Sequence, residues 1–161
     1  VEQEQEARSL AGAAIEDSFS HTDKLMTELA DAREWEELRQ LTWRHLNSPN
    51  ERLAARAHRL MALSLAHSEN PSDREAAIDL FRSLIDKPDA VPTDLGNLAT
   101  LLTESARTDE AKGVIIQGIR AFPANNAGYF SDIGHRLIES TGDKAFRKQM
   151  EEELTKRGHG D

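Results

Sequence analysis

Residues 91–125 read VPTDLGNLATLLTESARTDEAKGVIIQGIRAFPAN, and the rest of the chain is best read outward from them. Leu95, Leu98, Ala99, Leu101 and Leu102 recur at three- and four-residue steps, which gathers them on one helix face. Pro92 and Asp94 suit the first turn of that helix. Ser105 to Thr108 interrupt the stripe, with Thr108 expected as the N-cap of a second helix and Asp109 and Glu110 just inside it. The second stripe is Ala111, Val114, Ile115, Gly118, Ile119 and Phe122, and Pro123 is expected to stop it. Ala99, Ala111 and Gly118 would let two helix backbones approach. Gly118 costs roughly 1 kcal/mol against alanine inside a helix, so it implies either an offsetting close contact or an exposed face.

Similar patterns run to both sides. Glu2 to Asp17 is predicted helical, with Leu10, Ala11, Ala14 and Ile15 as its apolar face and Glu2, Glu4 and Glu6 at its start. A break is expected at Ser18 to Thr22. Helices are then expected over 23–30, with Leu25, Met26 and Leu29 inward, and over 33–46, with Trp35, Leu38, Leu41, Thr42 and Leu46 inward. Asn50 should cap a helix over 51–67 whose apolar residues are Leu53, Ala54, Ala57, Leu60, Met61, Ser64 and Leu65. Ser72 with Glu75 forms a capping-box pattern ahead of a helix over 73–85 carrying Ala76, Ala77, Leu80, Phe81 and Leu84. The helix over 126–140 carries Tyr129, Phe130, Ile133, Gly134 and Leu137. A last helix presents Ala145, Phe146, Met150 and Leu154, with a polar outer face suited to closing a stack. Residues 157–161 are expected as a frayed tail.

The central hairpin resembles a tetratricopeptide repeat, a 34-residue helix–turn–helix unit. Leu95, Leu98, Ala99 and Leu102 match the first-helix positions, and Ala111, Ile115, Gly118 and Pro123 the second-helix positions. Leu95, Leu102 and Ile115 stand where the family usually has aromatics. Ala77, Phe81, Leu84 and Pro88 repeat the second-helix signature, and Phe130, Ile133, Gly134 and Leu137 the first-helix one. The resemblance spans residues 22–157. It implies an all-α protein, a right-handed α–α superhelix of about four such hairpins plus an N-terminal helix, forming one domain over 1–161. Other α–α solenoids share this degenerate pattern. The chain starts with Val1 rather than Met, which leaves a processed chain and a piece of a larger protein both open.

Composition narrows the function classes. Among 161 residues, 38% are hydrophobic and only 5% aromatic, so alanine and leucine must do most of the packing, as close-packed helices allow. The formal charge of −9 disfavours an unspecific grip on nucleic acid. The absence of cysteine removes disulfides, thiolate nucleophiles and cysteine-based metal sites. No apolar run is long enough for a membrane span. A cytoplasmic location is the expectation, with a periplasmic or exported one still open.

The six histidines, His21, His45, His58, His67, His135 and His159, form no metal-ligand spacing with one another. Asp132 and His135 are an i,i+3 pair of a kind common on helices, and glycine-rich phosphate loops are absent. No enzyme activity and no cofactor are therefore expected. In the resembled family the first helix of each hairpin lines a concave groove that binds a peptide or a helix of another protein. That implies candidate groove residues among His58, Arg59 and Ala62, among Thr93, Asn97, Thr100 and Glu104, and among Ser131, Asp132 and His135. Arg59, Asn97, Thr100, Asp132 and His135 are the expected polar centre. Asn97 could bond both the N–H and the C=O of an extended ligand, Arg59 a carboxylate, and Asp132 a basic group. The family's chaperone-tail binders use lysines, asparagines and an arginine at set first-helix places. Only Asn97 matches here, while Ala62, Ala66, Gly128 and Asp132 do not, so that ligand is not expected. The partner is thus another protein or peptide. A scaffold reading competes with self-association into a homo-oligomer, for which Leu10, Ile15 and Phe19 are the candidate contacts, or with a regulatory part of a larger protein.

Overall fold

The computed structural model describes residues 1–122 and 124–159, with the backbone alone described at 11–18, 124, 158 and 159. Among the described residues the secondary structure is entirely helical. The helices are α1 (Glu2–Asp31), α2 (Trp35–His45), α3 (Glu51–Ala66), α4 (Pro71–Ile85), α5 (Pro92–Glu104), α6 (Thr108–Ala121), α7 (Ala127–Thr141) and α8 (Lys144–Leu154). A 3₁₀ turn, Ala124–Asn126, precedes α7, and a π-helical turn, Thr155–His159, follows α8. The fall-off expected over 157–161 is thus helical as far as His159, and Gly160 and Asp161 lie outside the described residues. Two compact units divide the chain, Val1–Asp73 and Arg74–Asp161.

In the first unit α1, α2 and α3 pack against one another. Met26, Leu38 and Ala57 are fully buried, Leu53 and Leu60 nearly so, and Phe19, Trp35, Leu41 and Leu46 pack partly buried around them. The expected break at Ser18 to Thr22 is absent, because α1 runs unbroken for 30 residues. Serine, histidine and threonine each cost only about 0.5 kcal/mol against alanine in a helix, and Phe19 packs against the core. Asp23 does not start a new helix. Its carboxylate accepts from Arg56 Nε at 3.0 Å and its carbonyl from the Thr27 hydroxyl at 2.9 Å. Leu10 and Leu25 point outward, whereas the side chains of Ala11, Ala14 and Ile15 lie outside the described residues. Asn50 caps α3 as expected, accepting from the N–H groups of Arg52 and Leu53 at 3.1 and 3.2 Å.

In the second unit the central stretch forms the α5/α6 hairpin, and every residue of its predicted stripes is buried except Phe122, which is partly so. Helices α7 and α8 form a second hairpin, and α7 packs on both α5 and α6. Gly118 is a contact residue: a Cβ there would run into the ring of Phe130. At Gly96 it would meet the phenol of Tyr129, and at Gly134 the sulfur of Met150. These glycines let α5, α6 and α7 receive large side chains from their neighbours. Pro123, the expected stop of α6, lies outside the described residues; the helix ends at Ala121.

Two helix starts differ from expectation. Helix α4 begins at Pro71, where the missing N–H is harmless. Asn70, not Ser72, supplies the cap, accepting from the Ser72 N–H at 3.0 Å. Glu75 is thereby released to bond Arg107 at 2.6 Å. Helix α6 begins at Thr108 with Arg107 in the cap position and no side-chain cap. Arg107 reaches Glu110 in the first turn instead. Ala76 and Ala145, expected inward, are exposed, and Ala62, a candidate groove residue, is fully buried.

Side-chain pairing has its own period. Asp23 with Arg56 and Arg120 with Glu153 are each 33 residues apart. Arg39 with Asp73 is 34, Glu75 with Arg107 is 32, and Lys112 with Asp143 is 31. Three ring contacts follow the same step, with Trp35 stacked on His67 at 4.3 Å, Arg52 over Phe19 and Lys112 over Phe146, while Phe122 and Tyr129 pack locally on Phe130. Each of these contacts lies within one unit. Arg82 with Glu110, 28 apart, departs from the step.

Candidate functional site

Helices α5 and α7 of the second unit share one face, and the chain brings them together through Gly96. With no side chain there, the ring of Tyr129 on α7 lies against the α5 backbone. Burial raises the Tyr129 pKa above its ordinary value, opposed by the charge of Arg136 and reinforced by that of Asp94. Asp94 is itself 2% exposed and accepts from the Val91 N–H at 3.0 Å, which fixes the start of α5.

Toward the C-terminal ends of the two helices the face opens into a cavity of about 190 Å³ lined by Thr100, Thr103, Glu104, Ile133, Arg136 and Leu137. Ile133 and Leu137 are buried and form its apolar part. The Thr100 hydroxyl donates to the Gly96 carbonyl at 2.9 Å and that of Thr103 to the Ala99 carbonyl at 2.8 Å. Their protons are thus spent within α5, and the oxygens remain as acceptors. Among the described residues Glu104 has no partner, and Arg136 makes only a long 3.4 Å bond from Nε to the Asp132 carbonyl. Both side chains are exposed and stand at the cavity's rim.

Of the residues predicted from sequence, Thr100 lines this cavity. Asn97 is partly buried one turn earlier on α5, while Asp132 and His135 are exposed on α7 and do not line it. Arg59 lies on α3, in the first unit. Arg136 was not anticipated, because the resemblance marks out its neighbours instead. The available signal was its place one turn beyond Asp132.

A larger groove of about 640 Å³ lies on the opposite set of helices, with Lys112, Ile116, Gln117 and Arg120 of α6 and Gln149 of α8 among its walls. Its cations are already matched. Lys112 pairs with Asp109 and Asp143, and Arg120 with Glu153 at 2.6 Å. These contacts hold the Asp143 and Glu153 carboxyls below their ordinary pKa and raise Lys112. The cations of the larger space thus serve helix–helix contact.

The fold and this face define an all-α protein of stacked helix pairs. Among the described residues no group of three or more histidine, aspartate or glutamate side chains is placed to hold a metal, and no helix is long and apolar enough to cross a membrane. No family model matches the chain, and comparison with curated proteins and with solved structures yields no match.

Proposed function

We propose that this chain is a non-catalytic helical-repeat module of the tetratricopeptide kind that binds an extended peptide or a helix of another protein on the α5/α7 face. The observation that carries this reading is the recurrence of side-chain pairs 31 to 34 residues apart, close to the 34-residue period of that repeat. In such repeats the first helices present the binding surface, and here α5 and α7 hold those places. Their outward groups include Asn97, Thr100 and Thr103, which suit recognition of peptide donors and acceptors. The test is a combined Asn97→Ala, Thr100→Ala and Asp132→Ala variant of the full chain, assayed against a partner captured by the parent protein. A loss of affinity of roughly tenfold or more, with unchanged helicity, is expected. Unchanged affinity removes the α5/α7 face as the binding surface.

A second reading, self-association through α1, has one specific observation in its favour. Residues 1–10 are exposed throughout although helical from Glu2, with Leu10 66% exposed. Sedimentation equilibrium decides it. A dimer that becomes a monomer when residues 1–10 are removed supports α1 as the contact, and a monomer at every concentration dismisses it.

A further inference from the structure

We draw no further inference here: the strongest candidate, the surface patch at Trp43 on α2, where the residue is 72% exposed, carries nothing because nothing in the structure shows what covers it.

Discussion

Two kinds of backbone position set stability at the residue scale. Gly118 is filled by its neighbour, since a Cβ would overlap Phe130, whereas Gly113 on the same helix faces open space. Gly118→Ala is therefore expected to destabilise by about 1–3 kcal/mol through overpacking, less what alanine returns in helix propensity. Gly113→Ala should stabilise by about 0.5–1 kcal/mol, and urea denaturation of both variants gives the comparison directly. The second kind is the left-handed residue that ends a helix. Gly142 closes α7 at φ 70°, but Ala106 after α5 and Arg33 after α1 hold φ values of 59° and 57° with a Cβ present. The Arg107 N–H donates to the Leu102 carbonyl at 2.8 Å, so the turn after α5 is held by a hydrogen bond that requires this conformation. Ala106→Gly should relieve the strain and raise stability by about 0.5–1 kcal/mol, after the entropy a glycine loses on folding. A lowered melting temperature would show that the alanine sits there without strain.

Charge joins the elements of the second unit. Contact with Lys112 holds the Asp143 carboxyl below its ordinary pKa, and Arg120 does the same for Glu153, a carboxylate only 6% exposed. A carboxyl with a lowered folded-state pKa contributes stability above its unfolded pKa and loses it as pH falls through the folded one. The unit should therefore be at full strength at neutral pH and weaken on acidification below about pH 4. The opposite shift on Lys112 is lost only when pH rises past the ordinary lysine range. Glu153→Gln should flatten the acid limb of a melting-temperature profile between pH 7 and 3. A variant profile parallel to the parent's would show that Glu153 stays out of the acid response. The limits of sequence reading also lie at this scale. The stripes Leu95–Leu102 and Ala111–Ile119 were legible because burial follows the helical period. The Asn50 cap was legible because its side chain acts on its own helix. The starts at Asn70 and Arg107 were not, because a capping residue and its rival a few positions away differ only in which tertiary partner claims the loser. Arg107 claims Glu75, and Ser72 is left inside the helix. The continuity of α1 was hidden for a similar reason: Phe19 and Asp23 find partners on other elements.

For the whole molecule, the near-regular step of 31 to 34 residues in the charge pairs carries the repeat architecture more plainly than the apolar pattern does. Hydrophobic stripes announce helices, and only pairs across a fixed sequence distance announce that hairpins recur. Of the residues that line the cavity, Thr100 was among those singled out from sequence and Arg136 was not. A groove residue is defined by the helix opposite it, and one strand of sequence does not state which turn of α7 faces α5.

The three of those pairs that sit at the starts of α4, α6 and α8 also have a parity. The cation comes first in Arg39–Asp73, the anion first in Glu75–Arg107, and the cation first again in Lys112–Asp143. Each helix start thus carries the charge opposite to that on the preceding second helix, and the sign inverts at every step. A chain that grew by copying a single hairpin would set like against like at the new joint: a duplicated Arg107 would face Lys112. Copying two adjacent hairpins keeps the alternation intact. Insertion of a second copy of residues 92–124 should accordingly leave a less stable chain than insertion of two consecutive hairpins, by thermal denaturation at low ionic strength, and added salt should narrow the gap. The charge pattern makes the doublet, not the single hairpin, the length by which this array can be extended without mismatch.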